Sequence, residues 1–228
     1  MCTDILVDIF SKNRDVDQAK SMEKYMRHHF SFLGIKTPQR KILLRKFYDR
    51  SGILKESDLP LTFIKEAWAL PEREYHYAVL SLLVRRPQWL KEEHLPLLEE
   101  LIKTNAWWDS VDTLASNIIG PFLRGKPVLT EKAVDKWKIH DNMWLRRTAI
   151  LHQLKYKQHT NEELLYQVIL LNRTEKEFFI QKAIGWALRE YSKTNPVSVK
   201  AFIESEQLAP LSVREGLKHL KRETVNKG

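Results

Sequence analysis

The sequence predicts an all-α protein, a solenoid of stacked helical hairpins, on three observations. It holds only 7 glycines and 9 prolines in 228 residues, sparse for an all-β chain that needs many turns. Apolar positions recur with helical period almost throughout, and no stretch alternates strongly enough to build a sheet. Tyr77, Asp112, Arg147 and Lys182 stand 35 residues apart, each on a stretch that reads as an amphipathic helix. A repeat near this length marks helical hairpins whose equivalent positions line up along one inner face.

Taken in order, the elements carry their own start and stop chemistry. Thr37-Pro38 opens a helix, with Thr as cap and Pro at the first helical position. Ser57-Asp58 precedes LPLTFIKEAWAL, Leu70-Pro71 separates that helix from EREYHYAVLSLL, and Arg86-Pro87 ends the latter. WWDSVDTLASNII runs into Gly120-Pro121, a pair expected to end or interrupt it. Asp141 is expected to cap DNMWLRRTAI, and Asn161 to cap EELLYQVILL. KEFFIQKAIGWALREY follows, and Asn195-Pro196 closes its repeat. In that helix Ile184, Trp186, Leu188 and Tyr191 mix two faces, as expected where more than one side is buried.

Self-similarity is clearest between WLRRTAILHQLKYK and FIQKAIGWALREYS, where Trp144 matches Phe179, Arg147 matches Lys182 and Tyr156 matches Tyr191. Before Tyr77 the register fades, as an atypical terminal repeat would make it. Such repeats resemble HEAT-type hairpins, although their usual period is somewhat longer. The expectation is about a dozen short helices. With no Pro/Ser-rich linker or low-complexity segment, a single domain over 1–228 is expected, with a monomer as the plain oligomeric state.

Composition excludes several classes. Hydrophobic residues at 43% argue against disorder, and one cysteine, Cys2, excludes an internal disulfide and a cysteine-built zinc site. The histidines are scattered with no i,i+4 pair beside a carboxylate, so no metal is expected. Nucleotide hydrolysis and serine-hydrolase chemistry lack a glycine-rich phosphate loop and a GxSxG elbow. No run approaches the roughly 20 apolar residues of a membrane span. MCTDILVDIF lacks the basic start of a signal peptide, so the expected location is cytoplasmic. The net charge of +9 favours polyanionic partners, nucleic acid first, with simple solubility as the alternative.

One constellation carries chemistry. Trp108 lies four residues before Asp112, on the same side of one helix, and Lys182 and Trp186 stand in the same relation two repeats later. With Arg147 between them, the repeat brings together one carboxylate, two indoles and two cations. Tryptophans at helical spacing are usually core, and Asp112 with Arg147 one repeat away reads first as a structural ion pair. The functional alternative is a cleft for a cationic or sugar-like group, since indole faces attract positive charge and a carboxylate stabilises an oxocarbenium-like centre. Arg146, Arg147, Lys155, Lys157, Lys182, Arg189 and Lys193 cluster in the last clear repeats, and Arg214, Lys218, Lys221 and Arg222 follow. They suit phosphate neutralisation or a solvated outer face.

The segments YMRHHFSFLGIKTPQR, LPERE, WWDSVD, DNMWLRRTAILHQLKYK, EFFIQKAIGWALREYSKTNP and LAPLSVRE resemble the AlkD-like family of DNA alkylation-repair glycosylases, from about Tyr25 to Leu220. The resemblance implies HEAT-like repeats whose concave face grips duplex DNA. It also implies hydrolytic removal of N3- and N7-alkylated purines (3-methyladenine, 7-methylguanine), without metal or organic cofactor. By it, Asp112 is the catalytic carboxylate, Trp108 and Trp186 flank the lesion's deoxyribose, and Arg147 and Tyr25 contact DNA. The lesion is expected to stay near the stack rather than flip into a base pocket. A non-catalytic DNA-binding module and a peptide-binding solenoid are the competing classes.

Overall fold

The computed structural model describes residues 1–225, with side chains up to Lys221; Arg222, grouped above with the last basic residues, lies outside the described side chains. Among the described residues the only β feature is an isolated parallel bridge between Ser31 and Glu72. The chain forms two compact units, Met1–Lys91 and Glu92–Gly228.

The first unit holds α1 (Cys2–Ser11), α2 (Val16–Tyr25), α3 (Thr37–Ser51), α4 (Leu61–Trp68) and α5 (Arg73–Arg85). Helix α1 packs on α3 and α4, and α4 on α5, around Leu6, Phe10, Phe47, Phe63 and Ile64. Between α2 and α3 the chain is fixed by a fully buried carboxylate, Glu74, which accepts the backbone N–H groups of Leu33, Gly34 and Ile35, each at 2.9 Å. Gly34 has φ 89°, and a Cβ there would lie 2.0 Å from the Asp15 carbonyl oxygen, so no side chain fits. Thr37 proves to be the first residue of α3 rather than its cap; extended Lys36 precedes it, without a side-chain cap bond.

The second unit holds α6 (Leu95–Lys103), α7 (Trp108–Thr113), α8 (Gly120–Leu123), α9 (Pro127–Trp137) and α10 (Met143–Leu151). It continues with α11 (Glu162–Asn172), α12 (Phe178–Tyr191), α13 (Pro196–Ser205), α14 (Pro210–Gly216) and α15 (Lys218–Val225). Helix α10 is the hub: it packs on α6, α7, α9, α11 and α12, and Trp144, Leu145, Thr148, Ile150 and Leu151 are buried. The 35-residue spacing therefore has a spatial counterpart here, because Asp112, Arg147 and Lys182 sit on α7, α10 and α12, with α10 packed against both others. Capping chemistry sets the ends of these helices. Asn161 accepts from the Leu164 N–H as expected, whereas Asn142, not Asp141, caps α10 through the Trp144 N–H.

The Gly120-Pro121 pair does not end the helix that α7 starts. Residues Leu114–Ile119 are instead wound as a π-helix, closed by a bond from the Gly120 N–H to the Ala115 carbonyl, and α8 carries on. Pro121 supplies no N–H to the preceding turn, and the wider winding absorbs that loss. Gly120 is pressed against α10: a Cβ would lie 2.2 Å from the His152 carbonyl oxygen, and the Tyr156 hydroxyl donates to the Gly120 carbonyl at 2.6 Å.

Candidate functional site

Asp112 and Arg147 meet in a two-pronged ion pair. Arg147 Nε donates to Asp112 Oδ1 at 2.7 Å and its Nη2 donates to Oδ2 at 2.9 Å, while Nη1 donates to the Phe179 carbonyl. The Arg147 side chain is 5% exposed and the Asp112 side chain 16%. Three packed helices thus meet at one carboxylate: α7 presents it, α10 grips it, and the first turn of α12 holds the grip. Planar fork-to-carboxylate geometry fixes direction as well as distance.

Beneath the pair lies an aromatic cluster. The Trp107 ring meets those of Trp144 and Phe179 edge-on, at 5.9 and 5.0 Å between centroids, and Trp144 and Phe179 are 5.2 Å apart. The Arg147 guanidinium lies 5.9 Å from the Phe179 ring. Burial in this setting pushes the Asp112 carboxyl above its usual range; the Arg147 bonds and charge pull it back, and nearby Asp109 adds a smaller push upward.

Trp108 occupies the first position of α7, one turn before Asp112, and is half-buried; Trp186 is half-buried on α12. Trp107, Trp144 and Phe179 form the inner wall of the site and were not read as site residues from the sequence. Trp144 and Phe179 share the 35-residue register, a pattern that marks repetition and does not by itself mark a site.

The expected cationic residues divide. Arg147 is buried, with an acceptor on each guanidinium nitrogen, the arrangement of an ion pair with Asp112. Lys182 and Arg189 lie on α12 within 3.1 and 3.6 Å of the Glu215 carboxylate on α14. Exposed Lys155 donates to Asn117 Oδ1, and exposed Lys193 pairs with Glu190 at 2.6 Å. Exposed Lys157, at a left-handed φ of 52°, lines with Lys193 and Tyr191 a cavity of about 230 Å³. Arg146 turns inward to the His140 and Asp141 carbonyls at 2.6 and 2.9 Å. In the first unit Tyr25 ends α2 with its ring exposed, next to Arg27 and His28 in the left-handed region. Tyr77 lies under the Arg40 guanidinium, 4.3 Å from its ring centroid. No group of residues able to hold a metal ion occurs among the described residues, and no described helix is long and apolar enough to cross a membrane.

Comparison with known proteins adds the context for this geometry. The family model described as DNA alkylation repair enzyme matches residues 7–220. A solved structure from Enterococcus faecalis, described as a predicted DNA alkylation repair enzyme, is 34% identical and superposes with a TM-score of 0.83. That match covers 91% of this chain and 96% of the other. No curated protein matches. The match spans nearly the whole chain, and the chain belongs to the DNA alkylation repair enzyme family.

Proposed function

We propose that this protein is a DNA glycosylase that hydrolyses the N-glycosidic bond of cationic N3- or N7-alkylated purines in duplex DNA, using Asp112. The observation that carries the reading is the mostly buried Asp112 carboxylate, aimed by Arg147 and set one helical turn from a half-buried indole. Membership of an alkylation-repair family supports DNA as the partner.

The chemistry follows from the substrate. Alkylation at N3 or N7 places a positive charge on the purine, so the base leaves with the bonding electron pair as a neutral molecule. Positive charge then builds on the deoxyribose, and a fixed carboxylate in a poorly hydrated place stabilises it more strongly than water would. Water adds at C1′ and gives up a proton, for which Asp112 is the nearest fixed acceptor in this reading. A carboxylate whose pKa lies above its usual range is the better base. Trp108 and Trp186 would set their ring faces against the cationic sugar.

Arg147 acts here as a positioning residue, through Asp112. Lys155, Lys157, Lys182, Arg189 and Lys193 are assigned to the phosphate backbone, and Tyr25 to a contact from the first unit. No cofactor takes part, and a monomer in the cytoplasm suffices. Release of free base from methylated duplex tests the reading: the wild-type protein should release 7-methylguanine, and Asp112→Asn should not. A protein that binds the duplex and releases nothing would be a binding module instead.

A further inference from the structure

Glu215 is the most heavily used carboxylate in the second unit. Its side chain is 8% exposed and faces three cations: Lys218 at 2.8 Å from both oxygens, Lys182 at 3.1 Å and Arg189 at 3.6 Å. Lys182 and Arg189 come from α12, two turns apart on one side, and Lys218 opens α15. The three cationic side chains are 37%, 32% and 46% exposed, so each keeps an open flank. Three positive charges against one negative leave a surplus of two on this small patch.

Close helix packing makes the arrangement possible. Gly185 lies between Lys182 and Arg189 on α12, and a Cβ there would fall 2.5 Å from Glu215 Cβ and 2.9 Å from the Ser212 carbonyl oxygen. Ser212 donates to the Gln181 carbonyl at 2.9 Å, which ties α14 to α12 one turn earlier. Glycine at 185 thus lets α14 seat its carboxylate under the cations. The next residue on α12 is Trp186, one of the two indoles assigned above to the sugar. The Lys218 ammonium, with Lys182 behind it, holds the Glu215 carboxyl below the usual glutamate range.

Three like charges repel one another and would splay into solvent if left alone. A buried carboxylate at their centre gathers them at one point, as a preformed site for an anion with several oxygens requires. We propose that Glu215 is a positioning residue that builds a phosphate-binding tripod from Lys182, Arg189 and Lys218, and that its ligand is a DNA backbone phosphate beside Trp186. Its assignment to DNA rests on the reading of this protein as a DNA repair enzyme. The tripod carries a counterintuitive consequence: an acidic residue strengthens the grip on a polyanion.

The test measures binding of an undamaged labelled duplex across a KCl series. Glu215→Gln raises the net charge by one, so a diffuse basic surface would bind DNA equally well or more tightly. The tripod requires the opposite: affinity weaker by about threefold or more, and a salt dependence shallower by about one unit. Unchanged or tighter binding by folded Glu215→Gln would overturn the proposal. If that variant does not fold, Lys218→Gln on the exposed rim decides. Loss of about one unit of salt slope supports the tripod, and an unchanged slope removes it. If the wild-type protein fails to bind duplex at low salt, the DNA reading itself falls. The tripod is then judged by inorganic phosphate, which should raise the melting temperature of wild type but not of Lys218→Gln; equal shifts would overturn it.

Discussion

Replacing Arg147 by alanine removes the fork that grips Asp112 and leaves a carboxylate at 16% exposure with its counter-charge gone. Breaking one side of a buried ion pair costs about 3–5 kcal/mol. The Phe179 carbonyl loses its donor in the same step. For a chain of this size that deficit lowers the melting temperature by roughly 6–20 °C. Without Arg147 the influences that pull the Asp112 carboxyl down are gone, and burial raises it further. A folded-state value above the unfolded one means that the folded protein binds the extra proton. Stability is then retained at low pH and lost as pH rises through the folded value, so the deficit should be larger at pH 8 than at pH 5. Denaturant unfolding at both values measures this. The salt dependence of duplex binding, measured alongside, should stay the same, because this guanidinium is turned inward. A variant as stable as wild type with a salt dependence shallower by about one unit would refute the assignment and return Arg147 to the phosphate backbone.

Further outcomes follow from the same geometry. Asp112→Ala combined with Arg147→Ala should recover part of the single Arg147 loss, since no buried charge is then left alone; a double variant worse than the sum of the two in urea unfolding would contradict the pair. Gly120→Ala should cost about 1–3 kcal/mol, because its Cβ would lie 2.2 Å from a backbone oxygen; unaltered thermal unfolding would mean that α8 has room to move. Glu74→Ala should destabilise by about 3 kcal/mol or more, as three buried N–H groups lose their acceptor. Hydrogen exchange at Leu33, Gly34 and Ile35 should report that loss, and unchanged protection there would argue against it. Base release should fall as pH drops through the Asp112 value, at a pH above the ordinary 3.8, and a rate unchanged from neutral pH down to pH 3.8 would exclude an ionised Asp112.

Much of this arrangement was legible in the sequence because it depends on spacing. A 35-residue period places Asp112 and Arg147 on helices that pack directly, and the four-residue step from Trp108 to Asp112 sets indole and carboxylate on one side of a turn. Asn161 caps its helix because a local bond decides that position. The remainder depended on partners that periodicity does not name. Arg147 falls on a face that reads as polar, and only the packing of α10 between α7 and α12 buries it. Lys182 and Arg189 read only as members of a basic cluster, because Glu215, far along the chain, gives no local sign that it packs against them. The π-helix at Leu114–Ile119 was hidden because proline marks a local disruption without saying whether a helix ends or widens. The division into two units left no mark in composition, since no linker separates Lys91 from Glu92.

The central claim is that Asp112 performs chemistry and does not merely pair with Arg147. Release of 7-methylguanine from methylated duplex DNA, measured in single turnover with duplex affinity determined on the same preparations, tests it most directly. The account predicts that wild type releases the base, and that folded Asp112→Asn binds the duplex nearly as well while releasing it at least about 100-fold more slowly. Release by Asp112→Asn at the wild-type rate, or binding by wild type with no release at all, would contradict it.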